Sequence, residues 1–228
     1  MDFTIRNLFS IELFGMEIWI TQTIVNTWII MALLITGAAI VRIKLRNMTD
    51  APGKFQNVIE AIVEAFGKFV KDFNGDKYQI VSNWFFMVFL FVLISNFSGL
   101  VGFRPPTADW GTTFALAFVT LILIQVAGIR AKGADYIKGF FRPTIFLFPL
   151  NLIGELARPV SLSFRLFGNM LAGFIILTLI YSITPLFARF LLPIALHAYF
   201  DVFAGALQTY IFCAVSLSFI GASSAIEQ

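Results

Sequence analysis

Five long apolar stretches decide what this chain can fold into. A hydrocarbon layer about 30 Å thick needs roughly 20 apolar residues per crossing helix. Residues 23–41 (TIVNTWIIMALLITGAAIV), 84–103 (WFFMVFLFVLISNFSGLVGF) and 111–129 (GTTFALAFVTLILIQVAGI) each meet that length. Two longer stretches follow, 145–183 and 186–222, divided near Thr184-Pro185. Of 228 residues, 59% are hydrophobic and 13% charged, whereas a soluble domain carries about a quarter charged residues. That balance excludes a soluble globular enzyme, a disordered regulator and a fibrous protein. A net charge of +3, scattered along the chain, excludes a nucleic-acid partner. The single cysteine, Cys213, lies in an apolar run, so no disulfide, metal centre or cofactor framework is expected. The expected fold is all-α: one polytopic transmembrane domain over residues 1–228, with five crossings and an outer N-terminal segment 1–22.

The basic residues choose the orientation. Arg42, Lys44, Arg46, Lys54, Lys68, Lys71 and Lys77 crowd the first long loop, and Arg130, Lys132, Lys138 and Arg142 the third. The opposite loops hold only Arg6, Arg104 and Arg189. The positive-inside rule then places the N-terminus outside and the C-terminus in the cytoplasm. Trp19 and Trp28 suit an anchor at the outer interface, and RPPTADW reads as a short polar turn stiffened by Pro105 and Pro106. The first stretch is not expected to be a secretory signal, because acidic residues precede it and it is too long for the apolar core of one. Between the first two crossings, Phe55, Val58, Ile59, Ile62, Val63, Phe66 and Val70 recur at helical spacing, predicting an amphipathic helix on the inner membrane surface over 53–72. No internal repeat is visible, which counts against transporters built from duplicated halves. Thirty-seven helical residues would extend about 55 Å. Segments 145–183 and 186–222 must therefore tilt steeply or break at Pro159 and Pro193, and a long tilted hairpin over 145–222 is the expectation.

Glu155, Arg158, Arg165, His197 and Asp201 lie inside those two stretches. A charge near the bilayer centre costs about 2.5–3.5 kcal/mol even on insertion scales, so such residues face protein or water and usually serve function. Arg165 stands deepest, with Asn169 one turn on and Gly168 and Ala172 forming a strip of small residues beside it. Its guanidinium cannot lose a proton, so it awaits a carboxylate. The bland alternative is a packing ion pair with Asp201 or Glu155. His197, Asp201 and Gln208 share one face of the last stretch, suggesting a hydrated path or a polar partner helix. Hydrogen bonding at the interface for His197, and between helices for Gln208 and Asn96, are the plainer readings. Glu155 and Arg158, three apart, are expected to pair, and Ser161 and Ser163 to bond back to helix carbonyls.

The string PVSLSFRLFGNMLAG, with LQTYIF in the final helix, resembles subunit a of the F-type ATP synthase membrane sector. The likeness covers most of the chain, including SNFSGL and the terminal helical hairpin. It implies an ion-translocating stator without a catalytic centre, set in the bacterial plasma (inner) membrane among lipid. Its implied partners are the rotor ring of subunit c and the peripheral stalk subunit b. Arg165 matches the family's essential arginine, which faces the ring carboxylate and prevents an ion short-circuit between two offset half-channels. Asn169 and Gln208 match polar positions packed around it, and Asn96 a position on the outward access path. Some members hold a carboxylate where this chain has Phe174, so Asp201 would be the single deep acid of that path, with His197 above it. Glu155 would line the exit path. Protons are the expected ion, ahead of sodium.

Two rivals remain at this stage. A self-contained cation/proton antiporter also carries buried Asp and Arg, but the chain is small and shows no second deep carboxylate near Asp201. An intramembrane serine protease could pair Ser161 or Ser163 with His197, yet neither serine has the glycine-flanked sharp turn of an exposed nucleophile.

Overall fold

The computed structural model describes residues 7–13, 16–46, 53–75, 79–141, 144–183 and 191–225. Arg6, Lys77, Arg142, Arg189 and the Thr184-Pro185 divide lie outside the described residues. The chain opens with an antiparallel hairpin of β1 (Asn7–Leu13) and β2 (Met16–Thr21), in which Ser10 faces Trp19 and the register shifts between Asn7 and Phe9. These strands add to the all-helical expectation. Leu8 and Phe9 fall together at the register shift and break the period-2 pattern that marks a strand.

Thr21 begins α1 (Gln22–Lys44), its hydroxyl accepting the Ile24 N–H at 3.4 Å. Arg42 and Lys44 stand in the last turn, where the helix dipole favours cations. There follow α2 (Lys54–Asn74), α3 (Gln79–Phe97), α4 (Trp110–Lys132), the short α5 (Ala134–Gly139), α6 (Phe148–Ile183), α7 (Leu191–His197) and α8 (Gly205–Ser224). Gly133, at φ +59°, lets the chain turn directly from α4 into α5. A π-helical turn, Ala198–Ala204, joins α7 to α8 as one continuous rod. Five helical stretches among the described residues are long and apolar enough to cross a membrane: 22–44, 81–101, 110–132, 148–183 and 194–224. They are the five that the hydropathy pattern predicts.

Neither proline breaks the long rods. Pro159 is buried within an unbroken 36-residue α6, and Pro193 falls in the first turn of α7, where backbone N–H groups lack helical partners anyway. The irregularity sits instead at the π turn around Asp201.

The core lies among α3, α4, α6 and α8. Phe85 and Val92, Ala117 and Ile124, Leu162 and Leu166, and Phe212 and Leu217 fill it. Apolar burial alone does not draw helices together in lipid, so close approach depends on small residues and polar contacts. At Gly205 an added Cβ would stand 3.0 Å from that of Asn96, and at Gly221 one would meet the Phe73 carbonyl at 2.5 Å. The α2 helix is amphipathic as expected, and its C-terminal half is seated in protein. Val70 is buried, Phe66 packs against Phe86 and Phe89, and Phe69 packs against Tyr210 and Phe73. Phe55, Val58, Ile62 and Val63 remain exposed.

The turn between α3 and α4, expected as a short polar turn, is largely buried. Pro105, Pro106, Thr107 and Ala108 are buried, and Asp109, which caps α4, accepts the Thr23 hydroxyl at 2.9 Å. Asn26 donates to the Arg104 carbonyl at 3.0 Å. Asn96, fully buried, joins three segments. Its amide donates to the Gly205 carbonyl (2.9 Å) and the Thr209 hydroxyl (3.1 Å), while its oxygen accepts from Thr107 (2.6 Å). Orphaning a buried polar group costs about 1–3 kcal/mol. Asn96→Leu, which strands Thr107 beside it, should therefore lower the thermal midpoint of the purified protein by several degrees, whereas Trp28→Leu on an exposed face should leave it unmoved.

Candidate functional site

The polar residues of α6 and of the α7–α8 rod form a seam with a cavity at each end. A cavity of about 440 Å³ lies beside the α3–α4 turn, lined on α6 by Met170, Gly173, Phe174, Leu177 and Tyr181, and on the last rod by His197, Phe200 and Asp201. A second, of about 930 Å³, lies at the basic end of the bundle, lined by Lys132, Tyr136, Asn151, Glu155, Arg158 and Ser223 among others. On α6 the first takes residues 170–181 and the second residues 150–158. Arg165 stands between these stretches.

Arg165 is exposed, and among the described residues it forms neither an ion pair nor a hydrogen bond. The two carboxylates that could have held it are engaged elsewhere: Glu155 pairs with Arg158, and Asp201 with His197. Packing within the chain does not account for this charge. Gly168, Asn169 and Ala172 share its exposed face, and a Cβ placed on Gly168 would meet nothing within 4 Å. Asn169 donates to the Gln208 carbonyl oxygen at 3.3 Å, while the buried Gln208 Nε2 has no partner among the described residues. The four polar positions Arg165, Asn169, Gln208 and, two turns further, Asp201 thus follow the seam between the two rods.

Asp201 is buried, with 6% of its side chain exposed, in the middle of the π turn. His197 Nδ1 contacts its Oδ2, and His197 Nε2 contacts the Tyr181 hydroxyl, so imidazole bridges phenol and carboxylate. The turn after α3 closes against the same carboxylate. A Cβ on Gly99 would stand 2.8 Å from Asp201 Cγ and both oxygens, which only glycine avoids. Nearby, the Arg104 guanidinium lies over the Phe174 ring at 5.4 Å, a cation–π contact. Asn96 does not line this cavity; it lies fully buried behind it, bonded to Gly205 and Thr209. The serine–histidine dyad of the rival protease reading does not form among the described residues. Ser163 bonds Thr113 at 3.2 Å, and Tyr181, which holds His197, stands about 27 Å further along α6 at 1.5 Å per residue.

At the basic end Glu155 is clasped from three sides. Arg158 Nη1 donates to it at 2.7 and 2.8 Å, and Gln125 Nε2 at 3.1 Å. The Tyr136 hydroxyl, 3.1 Å from Gln125 Oε1 and 3.4 Å from Glu155 Oε1, shares its one proton between them. Arg158 in turn lies over the Phe219 ring at 5.2 Å. Tyr136, Gln125 and Tyr181 carry no signal in the sequence. They come from other elements or distant turns, and only folding brings them to the site.

A multi-pass helical membrane protein with a polar seam joining two separate cavities is the class these features define. The chain belongs to the ATP synthase A chain family, whose sequence profile matches residues 24–221. It is 38% identical to ATP synthase subunit a of Moorella thermoacetica, over 92% of this chain and 94% of that one. It is 36% identical to a sodium ion specific ATP synthase subunit a of Propionigenium modestum, over 90% and 74% of the two chains. The subunit a of Desulfosudis oleivorans is 34% identical, over 86% and 85%. Membership makes the chain a membrane-sector component of an ion-translocating complex, without a catalytic site of its own. The antiporter and protease readings are thereby set aside.

Tyr136 gives a pH prediction. Burial first, and then the Glu155 charge, push its phenol above the usual tyrosine range. The unfolded chain therefore loses this proton first, so the contribution to stability is present below pH about 10 and falls as pH rises from there to the folded value. Tyr136→Phe should flatten the alkaline decline in thermal midpoint of the purified protein; an unchanged slope would refute the assignment.

Proposed function

We propose that this chain is the stator through which ions reach and leave the acidic residues of a rotating ring of subunit c. The cavity lined by Tyr181, His197 and Asp201 is the half-channel to the outer side, and the cavity lined by Glu155 is the half-channel to the cytoplasm. The single observation that carries this reading is their offset: they open at opposite ends of α6, and Arg165 stands exposed between them. An ion entering one path cannot pass straight to the other. It must bind the ring, travel around, and leave from the second cavity.

The residues divide the work. Arg165 attracts an emptied ring carboxylate and repels a cation seeking a direct route. Gly168 and Ala172 let a ring helix approach, and Asn169 with Gln208 steadies the polar seam beside the guanidinium. Asp201 hands ions on from the outer path with His197 above it, and Asn96 supports that path from behind. Protons are the transported ion in this reading. Imidazole between a phenol and a carboxylate passes a proton by exchanging which nitrogen carries it, whereas a sodium ion needs several oxygen ligands in place of its water. A potential supplies only about 2.3 kcal/mol per charge per 100 mV, so many ions must be used per ATP, which a many-site ring provides.

The membrane is a bacterial plasma membrane, with the N-terminus outside and the C-terminus in the cytoplasm, and the peripheral stalk subunit b is a further partner. Residues 1–228 act as one transmembrane unit. At 1.5 Å per residue, α6 extends about 54 Å, far beyond the hydrocarbon thickness, and it has no break. Steep tilt of the 145–222 hairpin is the way it fits.

Arg165→Ala should abolish ATP-driven proton pumping and coupled ATP synthesis in vesicles carrying the whole complex; retained pumping would overturn the proposal. Asp201→Asn should slow pumping at least about tenfold, as expected for loss of a positioned proton carrier, and an unchanged rate would remove Asp201 from the path. Pumping by the parent complex should not depend on added sodium.

A further inference from the structure

We propose that Glu155 acts as a fixed counter-ion for Arg158, so that Arg165 is the guanidinium on this face of α6 that a ring carboxylate meets. The inference rests on the reading of Arg165 given above and deepens it. Arg158 and Arg165 are seven residues apart, two turns along one face of α6, about 10 Å from each other. Both are permanent cations. The Arg158 side chain is 39% exposed at the larger cavity, on the route along which a ring carboxylate would release its ion. Left alone, it would offer that carboxylate a second resting place two turns from the first, and the ring would pause there.

The geometry at Glu155 suits a clamp and not a carrier. A carboxylate that carries protons along a path must exchange one partner for the next. Glu155 is held by Arg158 from its own helix, by Gln125 from α4 and by Tyr136 from α5, and its side chain is 10% exposed. Arg158 is fixed on its other side by the Phe219 ring of α8. Tyr136 is itself wedged against α4, where a Cβ on Gly128 would fall 2.5 Å from its Cζ. The pair is braced from three other elements, and neither partner is placed to swing along the cavity.

The test compares Glu155→Gln with the double variant Glu155→Gln/Arg158→Gln in the assembled complex, by ATP-driven proton pumping in membrane vesicles, normalised to complex present. Glu155→Gln exposes the second cation and should slow pumping roughly tenfold. The double variant removes that cation too and should recover to within about threefold of the parent, since coupled charges are non-additive. If Glu155 carries protons, both variants are equally slow. If the pair is only structural, the double variant is worse, because it also loses the Phe219 contact. Either result overturns the proposal, as does full activity of Glu155→Gln. Should Glu155→Gln fail to assemble, the double variant still decides: pumping within about threefold supports the clamp, and a tenfold loss refutes it. Arg165→Ala run alongside separates the two readings. If it pumps, the stator reading falls; if it is inert while the double variant stays slow, only the clamp falls.

Discussion

An ionised group in hydrocarbon is costly, and the packing of α4, α5, α6 and the final rod answers that cost. Glu155 finds Arg158, Gln125 and Tyr136; Asp201 finds His197 and, through it, Tyr181. These contacts draw α4, α5, α6 and the final rod into one bundle more specifically than apolar packing could, since lipid is as apolar as leucine. Against that background Arg165 is anomalous. It is the charge on α6 that the fold leaves facing outward, on a face stripped of bulk by Gly168 and Ala172. In the proposed reading, the answering anion belongs to another molecule.

Packing and chemistry meet at the π turn. Its widened geometry carries Asp201 into the bundle, against the bare backbone of Gly99, and keeps His197 beside it. Asn96 then braces the start of α8 through Gly205 and Thr209, while Thr107 holds Asn96 from the buried α3–α4 turn. The cavity beside Asp201 is thus shaped by a layer of neutral polar contacts that do not themselves line it.

Hydropathy made the five spans legible because length and apolarity are summed over some twenty residues, and no tertiary contact can disguise them. Arg165, Glu155 and Asp201 were legible for the opposite reason: single charges stand out where every neighbour is apolar. The Glu155–Arg158 pair followed from its spacing on one helix. What stayed hidden was what folding assembles from afar. Tyr136 looks like any loop tyrosine, and Tyr181 is joined to His197 only when two long rods come together. The burial of residues 105–108 was masked by their turn-like composition, and the β-hairpin by adjacent Leu8 and Phe9. A π turn has no compositional mark at all.

The continuity of α6 through Pro159 has a mechanical consequence. A single continuous helix carries one wall of each cavity and the guanidinium between them, so their separations are set by helical rise. In the proposed stator, a rotor pressing sideways on this rod would deflect it as a beam, moving all three together, and the timing between loading and unloading would survive the load.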